Sequence, residues 1–199
     1  MAMRDYSRWF AVLALGALWG LGELVIWWAM GVAGLGMKSP VVAGWGLLNL
    51  AVARTVMDKP GTSALMGLVA ASYKLIAGLM FPCAFTAIMA MAIAFDIATS
   101  LSGGARWWIR VPLAAVSVYF SFAGFALVAA YGLKMEFWAA GGLANVLRYT
   151  LVNGSWAALI SLFTVGLGFG IGKLISRISV PFWVPAAVYG MGWFASFLR

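Results

Sequence analysis

The chain has no histidine and only one cysteine, Cys83, in 199 residues. Without imidazole it cannot use histidine to ligate haem, to bind a transition metal or to relay protons. One cysteine excludes an internal disulfide and a metal cluster made of cysteine alone, and a small buried apolar side chain is its simplest role. We therefore predict no metal site and no cofactor.

Charge is also scarce: charged residues make up 9% of the chain, whereas 65% of the residues are hydrophobic. A soluble domain of this size needs far more polar surface, so the composition predicts one integral membrane domain over residues 1–199. The net charge of +8 does not indicate nucleic acid binding, because the basic residues lie in short breaks between apolar runs. No alternating pattern favours a barrel, so we predict an all-α bundle with six or seven transmembrane helices.

Seven apolar segments suit a membrane helix, which needs roughly 20 residues to cross the hydrocarbon core. They are residues 9–35, 41–57, 62–80, 83–101, 109–133, 151–172 and 180–198. The stretch 136–150 is less apolar, and we expect it to lie along the membrane interface or to form a partly buried loop. The last segment contains two prolines, so six spans followed by an interfacial helix stay open.

The distribution of Lys and Arg predicts the orientation, because cytoplasmic breaks are enriched in both. One set of breaks holds eight basic residues: Arg4, Arg8, Arg54, Lys59, Arg106, Arg110, Lys173 and Arg177. The other set holds four: Lys38, Lys134, Arg148 and Arg199. We therefore expect the N-terminus to lie in the cytoplasm.

Four polar side chains lie well inside the predicted spans: Glu23, Asn49, Lys74 and Asp96. Ionisable groups at membrane depth cost at least ~2.5 kcal/mol each on insertion scales, so they usually face a partner or a cavity. The helical rise puts Glu23 and Asp96 near one level with Lys74 above them, so Lys74 can pair with either acid. Such a pair either holds helices in register or forms the polar floor of a cavity. Two acids and one base would make that floor net negative.

Aromatic residues in the outward halves of the spans are candidate walls for this cavity. Trp27 and Trp45 lie on the same side as Lys74, and Tyr73 is its neighbour in the chain. Indole faces stack on flat ligands, although tryptophans at span ends, such as Trp138, are more typical of interfacial anchors. Glycines four residues apart allow close helix packing, within the chain or against a partner: Gly16 with Gly20, Gly166 with Gly170, and Gly168 with Gly172.

The first hundred residues resemble the substrate-binding (S) components of energy-coupling-factor transporters, in particular a poorly characterised bacterial branch. The similarity is carried by ALGALWGLGELVIWWAMG, ARTVMDKPGTSALMGLVAASYKLI and FPCAFTAIMAMAIAFDIATSL. The shared features are Gly20, Glu23, Pro60 and Gly61 at the third span, Lys74 near its end, and Asp96 after a proline hairpin. S components normally have six spans and often dock through alanines four apart, where Gly16 and Gly20 stand here.

The resemblance implies a bacterial inner-membrane subunit that captures a small vitamin-like solute and passes it inward, and the net negative floor makes a cationic solute a further expectation. The expected partners are the lipid bilayer, the solute, and a coupling subunit with ATPases, and no nucleic acid. Candidate substrate-binding residues are Glu23, Asn49, Lys74, Trp27, Trp45 and Tyr73, and Asp96 is expected in a charge network.

Two other functions stay open. The stronger is a non-catalytic accessory subunit of a redox or photosynthetic membrane complex, in which the buried charges only set helix register. The weaker is an intramembrane enzyme that pairs Ser63 or Ser72 with Lys74, which the spacing does not favour. The chain has no phosphate-binding loop and no histidine that could activate a serine or cysteine nucleophile, so we predict that it is not an enzyme.

Overall fold

The computed structural model describes residues 2–75, 81–103, 107–178 and 180–197. Within these ranges it contains seven α-helices and no strand, which confirms the all-helical prediction. The helices are α1 (Ala2–Val32), α2 (Lys38–Val56), α3 (Thr62–Ser72), α4 (Phe81–Leu101), α5 (Trp107–Leu127), α6 (Glu136–Ile175) and α7 (Trp183–Phe197). A 3₁₀ turn, Tyr73–Leu75, extends α3, and a π-helical turn, Val128–Gly132, extends α5.

Four of the described helical stretches are long and apolar enough to cross a membrane: Tyr6–Val32, Pro82–Leu101, Trp108–Gly132 and Glu136–Ile175. Such stretches satisfy their own backbone hydrogen bonds and can lie in lipid. They are consistent with a helical membrane protein.

The first and third helices end before the predicted segments do. The first helix ends at Val32 and not at residue 35, because Gly34 takes a left-handed conformation with φ of 64°. The α-helical part of the third segment ends at Ser72, and its last residues, 76–80, lie outside the described residues.

The stretch 136–150 is helical and forms the first part of α6, so the alternative of a loop is wrong, and its position along the membrane interface stays a prediction. Gly142 interrupts this helix with φ of 51° and ψ of −140°, a conformation that is essentially restricted to glycine. Trp138 before this interruption and Val146 after it are both buried, whereas Arg148 is exposed.

Helix α2 lies at the centre of the bundle and makes its most extensive contact with α6. Two glycines of α6 allow this approach: a Cβ on Gly168 would lie 2.6 Å from the Leu48 carbonyl oxygen, and one on Gly172 would lie 2.4 Å from Thr55 Cβ. The neighbouring Gly166 and Gly170 have no atom within 4 Å of that position. Packing within the chain therefore uses the second α6 pair and not the first, which lies on another side of the helix.

Gly16 and Gly20 of α1 face α3 and the turn that extends it. A Cβ on Gly16 would lie 3.0 Å from Val69 Cβ, and one on Gly20 would lie 2.3 Å from Tyr73 Cδ2. Because glycine has no side chain, α1 and α3 approach closely at these two positions. Helix α7 packs on α1 beside them.

Candidate functional site

A cavity of about 490 Å³ lies at one end of the bundle. Its lining comes from the second half of α1, the start of α2, the turn after α3, the first half of α4, the end of α5 and the start of α6. Successive helices among these six run in opposite directions, so alternating helix ends meet there. Small-molecule sites typically measure roughly 300–1,000 Å³, and this cavity has that size.

One ion pair borders the cavity. Lys74 Nζ lies 3.0 Å from Glu23 Oε1, and the two side chains are only 12% and 10% exposed. The second carboxylate oxygen of Glu23, Oε2, has no hydrogen-bond partner in the described part of the chain. Of the two pairs that the sequence leaves open for Lys74, the structure contains the one with Glu23.

Aromatic side chains from α5 and α6 form much of the wall. The Trp138 ring stands edge to face against Phe125 at 5.4 Å and against Tyr149 at 4.9 Å between centroids. Phe122 is stacked on Tyr149 at 5.2 Å with 22° between the planes. Offset-stacked and edge-to-face contacts are the favoured aromatic geometries, so these rings support one another and form a preorganised surface.

Trp27 of α1 also lines the cavity and is 49% exposed, so it lies at the rim. Lys38 Nζ lies 5.4 Å from the centroid of its ring, a distance at which a cation is attracted to an indole face. Phe137 is another exposed lining residue, at 73%. The rim of the cavity is therefore aromatic as well.

Three of the six predicted binding residues line the cavity, namely Glu23, Lys74 and Trp27. Trp45 does not, because its indole Nε1 donates to the Trp19 carbonyl at 3.2 Å and packs against Gly22 of α1. The amide of Asn49 donates to the Trp45 carbonyl at 2.9 Å within α2. Both side chains belong to the interior between helices.

Tyr73 is fully buried and serves the packing of α7 rather than the cavity. Its hydroxyl donates to the carbonyls of Val188 and Tyr189, at 3.4 and 3.2 Å. Tyr73 therefore faces α7 whereas Lys74 faces the cavity, because adjacent helical side chains point about 100° apart.

Asp96 lies at the opposite end of the bundle from the cavity. It accepts hydrogen bonds from the backbone N–H groups of Gly61 and Ser63, at 2.7 and 3.1 Å, where α3 begins. It also pairs with Arg54 Nη1 at 3.6 Å. Asp96 therefore belongs to a charge network without Lys74. Among the described residues that line the cavity there is one acid and one base, so they do not form the expected net negative floor.

The network around Asp96 consists of Arg54, Asp58, Asp96 and Arg110, and we call it the Arg54 cluster. Arg54 Nη2 lies 3.0 Å from Asp58 Oδ1, and Arg110 Nη2 lies 2.7 Å from Asp58 Oδ2. Arg54 also donates to the Lys59 carbonyl and to Ser100 Oγ. Although Arg54 was counted with the basic breaks, it lies inside α2 and is only 2% exposed. The cluster ties together the ends of α2 and α4 and the starts of α3 and α5.

No family model, curated protein or solved structure matches this chain. The chemistry of the cavity is therefore read from its own residues. Apolar and aromatic walls suit a flat solute, and the Glu23–Lys74 pair offers it one negative and one positive hydrogen-bonding group.

The two serines considered with Lys74 are engaged or distant. The Ser72 hydroxyl lies 2.6 Å from the Val69 carbonyl and 2.7 Å from the Tyr189 hydroxyl. Ser63 is in the first turn of α3, eleven residues or about 16 Å of helix from Lys74. Neither arrangement supports a Ser–Lys pair.

The aromatic wall was not predicted from the sequence. Phe122 and Phe125 are three residues apart and so share a helix face, which is the one signal that pointed to them. Trp138, expected as an interfacial anchor, is only 9% exposed and lies inside the wall. Its position depends on how the first part of α6 folds over α5, which local sequence does not reveal.

Proposed function

We propose that this protein is the substrate-capture subunit of a membrane uptake system and binds a small vitamin-like solute in the cavity. The observation that carries the proposal is a nearly buried ion pair, Glu23–Lys74, beside a cavity of about 490 Å³ with aromatic walls. Charged residues in membrane helices are costly, usually pair with one another or face a cavity, and often mark solute or ion pathways.

The proposed setting is the bacterial inner membrane, crossed by six or seven helices, with the N-terminus in the cytoplasm. The cavity lies at the end of the bundle where α1 ends, away from the N-terminus. In this orientation it faces the outside, where a solute is captured. An alkaline phosphatase fused after residue 199 tests the seven-span version, because it is active only if the C-terminus lies outside.

The proposed partners are a coupling subunit and ATPases. The given sequence has no phosphate-binding loop, and in this proposal a separate ATP-driven module supplies the energy for release on the inside. The resemblance of the first hundred residues to S components supports the same assignment.

Ligand-induced stabilisation of the purified protein in lipid nanodiscs tests the function. A ligand that binds the folded state raises its stability, by about 2.7 kcal/mol at a hundredfold excess over Kd. We expect at least one member of a panel of vitamins and heterocycles to raise the melting temperature. Glu23→Gln and Lys74→Met should abolish that rise.

Glu136→Gln and Lys134→Met are matched controls, because they make the same chemical changes at exposed positions outside the cavity lining. They should leave the rise unchanged. No response to the panel, or an equal response in the cavity variants, would contradict capture at this site.

An accessory subunit of a larger membrane complex is the second proposal, and one observation favours it. Gly166 and Gly170 are four residues apart on α6 with open space beside them, as at a surface that receives another helix. Mild purification from native membranes separates the two functions. Co-isolation of ATPases with a coupling protein supports uptake, whereas redox or photosynthetic subunits support the accessory role.

A further inference from the structure

We infer, on the basis of the proposed function, that the cavity selects a flat aromatic ligand of zero net charge. The ligand carries a hydrogen-bond donor and an acceptor side by side on one edge, as an amide or a lactam does.

The lining is electrically balanced. Glu23 and Lys74 are the only carboxylate and ammonium groups among the described lining residues, and they neutralise each other. The sequence between Lys74 and Cys83 adds no ionisable residue. Asp96 and Arg54 belong to the cluster at the other end of the bundle.

A charged ligand would break this balance. A cation next to Glu23 competes with Lys74 and leaves one positive charge in excess, and an anion next to Lys74 leaves one negative charge in excess. An uncompensated charge in a poorly solvated site is strongly unfavourable, whereas a balanced set is not. An uncharged ligand keeps the sum at zero and avoids that cost.

The ion pair still has hydrogen bonds to offer. Glu23 Oε1 accepts one hydrogen bond from Lys74, and because each carboxylate oxygen has two lone pairs it can accept a second one from a ligand. The Lys74 ammonium has three donors and directs one of them at Glu23. Because the paired atoms are 3.0 Å apart, a donor for Glu23 and an acceptor for Lys74 have to be neighbours on the ligand.

The aromatic wall supplies the remaining affinity. Phe122 and Tyr149 are nearly parallel, and the Trp138 ring stands perpendicular to Tyr149, so the wall offers both a face and an edge to a ring. Aromatic contacts of these kinds add about 0.5–1.5 kcal/mol beyond the area that they bury. A fused two-ring or three-ring body fits the volume of the cavity.

Three probes with one ring system test the charge preference: quinoline-3-carboxamide (neutral), quinoline-3-carboxylate (anionic) and 3-carbamoyl-1-methylquinolinium (cationic). Kd is measured for each by calorimetry on the full chain in nanodiscs. We expect the neutral amide to bind at least tenfold more tightly than either ion, a difference of ~1.4 kcal/mol.

Single-charge variants should reverse the ranking. In Glu23→Gln the lysine is left without its acid, so the carboxylate probe should become the tightest ligand. In Lys74→Met the acid is left without its base, so the quinolinium should become the tightest. Lys134→Met and Glu136→Gln, at exposed positions, should keep the order of the unmodified protein.

The outcomes separate this inference from the proposed function. Tighter binding of either ion to the unmodified protein overturns the inference and leaves solute capture standing. An unchanged ranking in the folded single-charge variants also overturns it. If no probe binds the folded protein while the panel of vitamins and heterocycles still raises its melting temperature, the inference alone is overturned, and no response to either set overturns both. If a variant does not fold, the ranking in the unmodified protein decides.

Discussion

Replacement of Arg54 by Met is expected to destabilise the protein by about 3 kcal/mol, because removing one partner of a buried ion pair costs about 3–5 kcal/mol. The side chain is only 2% exposed and pairs with Asp58 at 3.0 Å and Asp96 at 3.6 Å. The lower end of the range applies because both acids keep other partners. Asp58 retains Arg110 at 2.7 Å, and Asp96 retains the N–H groups of Gly61 and Ser63.

Thermal unfolding in nanodiscs, followed by tryptophan fluorescence, measures this effect. For a protein of this size, 1 kcal/mol shifts the melting temperature by about 2–4 °C, so Arg54→Met should lower it by about 6–12 °C. Arg148→Met is the matched control, since Arg148 is exposed on α6 and surface substitutions change stability by about 0.5 kcal/mol or less. The double variant Arg54→Met/Asp96→Asn should recover part of the loss, because it removes the acid that would be left uncompensated.

A melting temperature for Arg54→Met within the range of Arg148→Met would refute the reasoning. The Arg54 cluster would then have no measurable part in holding the four helix ends together. An equally large loss in the single and double variants would show that packing of the arginine stem matters and its charge does not.

Three further predictions concern packing. Gly142→Ala should lower the melting temperature by several degrees because the φ of 51° is strained for alanine, whereas Gly166→Ala, with open space, should leave it equal or raise it. Gly168→Ala should cost about 1–3 kcal/mol, since its Cβ would lie 2.6 Å from a backbone oxygen of α2, and Gly170→Ala should not destabilise in the same assay. Tyr73→Phe should cost about 1 kcal/mol and speed limited proteolysis of α7, because it removes the hydroxyl that bonds the α7 carbonyls. Unaltered melting and cleavage would contradict the assigned contacts.

Hydropathy was sufficient to predict most helices, because lipid and core both demand apolar side chains along a span. It failed at 136–150, where the polar Asn145 and Arg148 lower the average. Trp138 and Val146 are buried there in one cluster with Phe125 and Ala129, and such contacts between distant segments cannot be read from mean hydropathy.

The candidate site was predictable only in part. The positions of Glu23 and Lys74 inside apolar runs were enough to suggest a pair, because such charges need a partner wherever they lie. Asp96 has the same sequence signature, yet its partner is Arg54, which was counted as a residue of a cytoplasmic break. Depth along a helix does not specify which neighbour a side chain faces, and that depends on the rotation of each helix.

Cys83 is 8% exposed and forms part of the cavity wall on α4. It is also the only cysteine of the chain. The native protein therefore carries its single thiol in the wall of the proposed ligand site, so no other cysteine has to be removed before labelling. The rate at which a small membrane-permeant maleimide alkylates Cys83 measures directly whether a bound ligand shields that wall.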